Sequence, residues 1–195
     1  MSTNVRSNLE RLARLGLLAA STLLACGTGQ DPAPAPAPAS MKVSAQSGGT
    51  YDLANTTWTR CEVGWPAAGQ SYWQAWVFGE GTATIRHEVY TASTDCTGAT
   101  DPAQHFEVAM TVEITGGPRT VGWDGSPPAG CPATVTATGV TFTAPAYSLI
   151  AKGVAYVDDT RTPPWLFVTN PGDPPPPADA DGYPTVLPIM EQAKL

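Results

Sequence analysis

Charge and histidine are both scarce in this 195-residue chain, and each scarcity excludes something. Only 14% of residues are Asp, Glu, Lys or Arg, and the histidines are two, His87 and His105. Two imidazoles cannot build a multi-histidine metal site, and they leave a Ser-His-Asp arrangement just two candidates for its base. Lys and Arg number 10 against 17 Asp and Glu, a formal charge of −7. Such an acidic balance argues against nucleic acid and against electrostatic docking on anionic lipid. No apolar run reaches the ~20 residues that a membrane-spanning helix needs. Gly-x-Ser-x-Gly, Cys-x-x-Cys, P-loop and Gly-x-Gly-x-x-Gly patterns are all missing. The residues therefore nominate no catalytic group, no cofactor and no metal site.

Two partial patterns come closest to chemistry. His87-Glu88 begins like a His-Glu-x-x-His zinc motif, but residue 91 is Thr and the context is a strand. Asp179-Ala180-Asp181-Gly182 resembles the middle of a calcium loop. Its first ligand position would be Pro177 and its twelfth Pro188, so the EF-hand reading fails and an Asp-Gly turn remains. A one-sided calcium site that adds Asp158, Asp159 or Asp173 is the surviving metal alternative.

The N-terminus carries a definite instruction. Arg6, Arg11 and Arg14, diluted by Glu10, precede a mostly apolar run from Leu15 to Leu24. That run has the length of a signal-peptide core. It ends in Leu23-Leu24-Ala25-Cys26. The order of charge, apolar run, small residue and cysteine resembles the lipobox of bacterial lipoproteins. The resemblance implies cleavage before Cys26, acylation of its thiol and a membrane anchor. Two or more acyl chains hold stably where one holds marginally. Gly27 stands where an aspartate would signal retention at the inner membrane, so the resemblance favours the outer membrane. Loss of residues 1–25 removes three arginines and one glutamate and takes the formal charge from −7 to −9.

Residues 26–50 read as a tether. The alternating run Asp31-Pro32-Ala33-Pro34-Ala35-Pro36-Ala37-Pro38 is polyproline-like, since proline fixes its own φ and extends its predecessor. Its eight residues span roughly 25 Å at the polyproline rise.

The folded domain is expected over 51–195. The whole chain holds 19 glycines and 20 prolines, and with no convincing helical period the domain reads as all-β. Tyr72 to Phe78 is a dense aromatic strand. Gly79-Glu80-Gly81 links it to Thr82–Tyr90 as a hairpin. In Phe106–Ile114 apolar residues alternate cleanly with Glu107, Ala109, Thr111 and Glu113. Gly116-Gly117-Pro118 reads as a turn before a short strand at Arg119–Trp123. Further strands are expected at Ala133–Ala137, Val140–Thr143, Ser148–Val157 and Trp165–Thr169. The stretch 171–184 is Pro-rich and too polar for regular structure, Tyr183–Leu187 is a last edge segment, and Ile189–Leu195 a tail with a helical turn. Seven to nine short antiparallel strands, mostly in sequential hairpins, predict a single up-and-down barrel.

Leu53-x-x-Thr56-x-Trp58-x-x-Cys61, the aromatic strand, and Tyr90-x-x-x-x-Asp95-Cys96-x-Gly98 together resemble a group of exported bacterial proteins with small lipocalin-like barrels. The match covers about a quarter of the chain. It implies a lipocalin-like fold, with a small apolar ligand as one reading.

With Cys26 lipidated, Cys61, Cys96 and Cys131 are left in an oxidising compartment. Three pairings are possible. Cys61 with Cys96 is the expected one, because the first strand and the loop after the third can meet across a barrel end. Closure of such a loop contributes roughly 3 to 4 kcal/mol in the chain-entropy model. Cys131 is then a free thiol. Trp73, Trp76 and His87 are the candidates to line a ligand. The first two differ by three and so face opposite sides of their strand, while His87 lies between Ile85 and Val89 on an apolar face. The reading that follows is a non-catalytic envelope lipoprotein that contacts an envelope protein or a small apolar ligand. A hydrolase is the third alternative.

Overall fold

The computed structural model describes residues 40–64, 66–171, 176–188 and 192–194. Eleven strands run in chain order: β1 (Lys42–Ala45), β2 (Thr50–Asp52), β3 (Thr56–Val63), β4 (Ser71–Phe78), β5 (Thr82–Tyr90), β6 (Phe106–Trp123), β7 (Val135–Ala144), β8 (Leu149–Asp158), β9 (Trp165–Val168), β10 (Val186–Leu187) and β11 (Gln192–Lys194). Eight of them, β3 to β9 and β11, pair antiparallel with their neighbours, and β11 bonds both β9 and β3. The sheet is thereby a closed up-and-down barrel. Among the described residues the only helical pieces are two three-residue 3₁₀ turns, Pro102–Gln104 and Pro145–Tyr147.

The interior follows from period-two alternation. Trp58 of β3, Trp76 and Phe78 of β4, Ile85 of β5, Val108, Met110 and Val112 of β6, and Val140 and Phe142 of β7 form one buried cluster. Trp58, Trp76 and Phe142 are no more than 1% exposed, so side chains fill the space. Met41, Val43 and Leu53 belong to the same cluster.

That contribution corrects the expected domain boundary. The domain was expected to start at Tyr51, but β1 already pairs with β2 and, in parallel, with β8 at Tyr156 and Val157. Ser44 also bonds the inward Thr138 through its backbone N–H (2.8 Å) and its hydroxyl (2.9 Å). The segment 41–50 is therefore part of the core and not of the tether. Its polar Ser, Gln and Gly residues masked two apolar ones, Met41 and Val43, at strand spacing.

A second cluster lies on the opposite face of the same wall. Val121 and Trp123 of β6, Val135 and Ala137 of β7, Val154 and Tyr156 of β8, and Phe167 of β9 pack beneath Tyr183 and Leu187. The last six residues of β8, Gly153–Asp158, are all buried because both of their faces are covered. The cover combines the end of the 171–184 stretch, expected to lack regular structure, with the Tyr183–Leu187 segment, expected as an edge and observed as one in β10. Within 176–188, Ala178 bridges Pro184, and β10 pairs in parallel with Gly122 and Trp123 of β6. The tail differs from its expectation too: Gln192–Lys194 is a barrel strand and not a helical turn.

A glycine pair fixes this cover. The Gly116-Gly117-Pro118 stretch is no turn: β6 runs straight through it, with a register shift against β7 between Ile114 and Pro118. Proline and glycine are tolerated at such bulges, where a ladder bond is already lost. A β-carbon on Gly139 would stand 2.8 Å from Gly116 Cα and 2.9 Å from Tyr183 Cε1. Tyr183 thus lies flat on a floor made of two glycines. Arg119 covers its ring at 4.0 Å and Lys152 Nζ at 4.8 Å. Arg119 also bonds Asp179 and, at 3.1 Å, Asp181, while Tyr183 donates its O–H to Thr115 Oγ1 at 2.8 Å. The Tyr183 backbone N–H, followed by the Arg119 charge, holds the Asp179 carboxyl below the usual carboxylate range.

Gly139→Ala is expected to destabilise the domain by about 1–3 kcal/mol, the usual cost of forced overpacking. Gly117→Ala, whose β-carbon would have no atom within 4 Å, should stay within about 0.5 kcal/mol of the parent. Urea unfolding of the two variants measures the difference.

Candidate functional site

One belt of inward polar side chains interrupts the apolar interior. Register places Arg60 of β3 opposite Gln74 of β4, Gln74 opposite His87 of β5, and His87 opposite Phe106 of β6. On the other side Ala193 pairs with Thr59, so Gln192 of β11 comes next to Arg60 one step along the ladder. Gln192 in turn pairs with Leu166 of β9. Four polar residues on four neighbouring strands therefore share one level. Arg60 and Gln74 stand two residues from Trp58 and Trp76 on the same strands, and these tryptophans form the floor beneath them.

The hydrogen bonds have a direction. Gln192 Nε2 donates to Gln74 Oε1, which leaves the Gln74 amide nitrogen to face His87 Nε2 at 2.7 Å. An amide nitrogen only donates, so His87 Nε2 accepts and the ring is neutral with its proton on Nδ1. Burial lowers the His87 pKa from 6.5 to about 4, and the Arg60 charge adds to this. Tyr72 meets the imidazole edge-on at 5.1 Å and Phe106 lies 5.6 Å away. His87 is thus held as a hydrogen-bond acceptor in a carboxamide chain.

Arg60 is less well served. Its side chain is 17% exposed, its nearest carboxylate is Glu62 at 3.8 Å, and its guanidinium lies 5.9 Å from the Tyr72 ring centre. Its Nε–H is covered and has no partner among the described residues, and the same is true of Gln192 Oε1.

The ligand-lining candidates separate. Trp76 is a core residue, stacked on Phe78 at 5.7 Å and tilted against Phe142 at 5.7 Å. Trp73 is half-buried on the opposite face of β4. Of the three, only His87 reaches the polar belt. Arg60, Gln74 and Gln192 carried no motif; the available signal was a polar residue at an inward position of an alternating strand.

The other candidates are accounted for individually. The Sγ atoms of Cys61 and Cys96 lie 2.04 Å apart. The loop after β5 reaches across β4 to β3 to bring them together, and Cys96 N–H bonds Ser71 Oγ of β4 at 3.0 Å. Among the described cysteines Cys131 alone is unpaired; it is half-buried, with its Sγ 3.7 Å from Asp158 Oδ2 and 3.9 Å from Arg161. Burial pushes the Cys131 thiol up, which disfavours the nucleophilic thiolate. Burial also acts to raise Asp158, but bonds from Thr160 and Arg161 outweigh it and hold that carboxyl low. His105 is about half-exposed and 3.9 Å from Glu88. The acidic residues considered for calcium are engaged elsewhere: Asp158 by Arg161, Asp159 by Ser47, Asp179 and Asp181 by Arg119. Asp173 and Cys26 lie outside the described residues.

The belt gives a pH dependence of defined sign. Unfolded His87 takes its proton near pH 6.5 and folded His87 near pH 4. Between these values the unfolded chain binds more protons, so stability falls as pH drops through this window and levels off below it. From pH 7 to 4.5 the parent should lose about 2 kcal/mol through this group. Urea unfolding of His87→Gln should lack that loss, and equal losses in both proteins would refute the assignment.

Compared with known protein families, with curated proteins and with solved structures, the chain matches none.

Proposed function

We propose that the chain is a membrane-anchored extracytoplasmic lipoprotein, non-catalytic, whose barrel has an interaction or structural role in the cell envelope. The observation that carries this reading is Leu23-Leu24-Ala25-Cys26 at the end of a basic start and a short apolar run. Acylated Cys26 holds the protein to the membrane, and Gly27 favours the outer one. Because the folded domain begins at Met41, the tether is Gly27 to Ser40. Those 14 residues reach at most about 50 Å when fully extended.

Three features of the domain support this reading. A filled interior suits a contact surface better than a carrier, which needs an open apolar cavity. Among the described residues, neither histidine is bonded to a serine, threonine or cysteine that it would activate. The Cys61–Cys96 pair suits an oxidising compartment.

Fractionation of cells that express the parent and Cys26→Ser tests the anchor. The parent is expected in the membrane fraction, with a mass raised by its acyl chains and lacking residues 1–25. Cys26→Ser should appear in the soluble fraction or retain its leader. Firm membrane retention of a cleaved Cys26→Ser protein would sink the reading.

A further inference from the structure

The C-terminal arm, 176–188 together with β11, is bonded to itself and to the barrel by separable sets of contacts. Within it, Asp179 Oδ1 accepts the N–H groups of Asp181 at 2.9 Å and of Tyr183 at 3.0 Å. The Asp179 N–H bonds Tyr183 O and the Thr185 N–H bonds Pro177 O, each at 2.8 Å. Residues 177–185 are thus a loop that keeps these bonds wherever it docks. Against the barrel the arm places the Tyr183 ring on glycine backbone, two residues of β10 on β6, and β11 between β3 and β9. The ring is covered by two long cations, Arg119 and Lys152, and can lift away without moving a strand. The carboxylates that Arg119 holds, Asp179 and Asp181, are 30% and 69% exposed, so salt screens them.

What the arm leaves cannot stay bare. Undocking uncovers Trp123, Val154 and Phe167 of the wall and opens the edges of β3 and β9, and an open edge is a template for another strand. The arm itself defines the occupant that meets these demands, and a second copy of the chain carries the same arm. None of the contacts requires arm and wall to belong to one molecule. The connection to β9 adds little to hold them together. Five of residues 171–177 are proline, which leaves only Gly172 and Asp173 with a backbone N–H to donate.

We propose that the arm is exchangeable: two copies of the chain dock each other's arms, so that Tyr183, β10 and β11 of one complete the wall and the seam of the other. Such an exchange reuses contacts that each copy already makes, which is why it is a low-cost route to a dimer. It involves only the folded domain, so its failure would leave the lipoprotein reading untouched.

The test traps the arm on its wall. Val186 of β10 and Gly122 of β6 are ladder partners, and a β-carbon on Gly122 meets no atom within 4 Å. Neighbouring strands lie ~4.8 Å apart, within the span of a disulfide. The full chain is made with Cys26→Ser and Cys131→Ser, which leaves Cys61 and Cys96 only each other. One preparation adds Gly122→Cys, a second Val186→Cys, and a third both. The first two are mixed in molar salt with urea below the unfolding midpoint, returned to dilute buffer and oxidised. A covalent heterodimer joined at 122 and 186 is expected, in severalfold excess over any dimer that either variant forms alone. The third, oxidised without that treatment, should seal within one chain. A mixture that stays monomeric while the third variant seals would overturn the proposal, and so would equal dimer in the unmixed preparations. If the third variant does not seal, light scattering of the Cys26→Ser, Cys131→Ser chain decides. A dimer share that rises with protein concentration after the same treatment supports exchange, and monomer at every concentration overturns it.

Discussion

Closure of the barrel depends on three residues. Gln192–Lys194 bonds β3 on one side and β9 on the other, and without it both would be open edges over an apolar interior. Lys194 adds a bond from Nζ to the Tyr51 hydroxyl at 2.9 Å, which ties the closing strand to the segment just before β3. The chain supplies this strand only after it has crossed the outer wall. Between β9 and β11 lie Tyr183 on its two-glycine floor and β10 along β6. The outer cluster is therefore the anchorage from which the closing strand is delivered. Arg119, with Tyr183 under its guanidinium and two aspartates around it, secures that anchorage electrostatically and by packing.

Much of this architecture is visible in the residues. Phe106–Ile114 and Thr82–Tyr90 alternate because one face is buried, and Gly79-Glu80-Gly81 marks the hairpin that joins β4 to β5. The Cys61–Cys96 contact follows from the order of strands, since the loop after β5 needs only to cross β4. Legibility fails where two segments far apart in sequence supply each other's environment. Gly116 and Gly117 look like a turn because glycine usually means one. Here Gly116 is glycine because Gly139 and Tyr183 leave no room for a β-carbon. The 171–184 stretch looks too polar for regular structure, yet its Asp179 and Asp181 are spent on Arg119, a partner some 60 residues earlier.

The polar belt shows the same limit more sharply. His87 could be placed inside from Ile85 and Val89 alone. Gln74 is the one polar inward residue among Tyr72, Trp76 and Phe78, Arg60 follows Trp58 at strand spacing in a largely polar strand, and Gln192 sits in a tail with no visible period. Nothing short of the pairing register brings the four to one level. Trp73 and Trp76 drew attention by size, yet their odd spacing sends one into the core and the other to the outer face. Large aromatics in a small barrel fill space before they bind anything.

The electrostatics of the belt depend on a single cation. Burial keeps His87 neutral, and the field of Arg60 adds to it. A second cation at His87 would place two positive charges on strands separated only by β4. It would also oppose the Gln74 amide nitrogen to an imidazolium N–H, donor against donor. The carboxamide chain and the guanidinium therefore enforce the same state of His87 by different means.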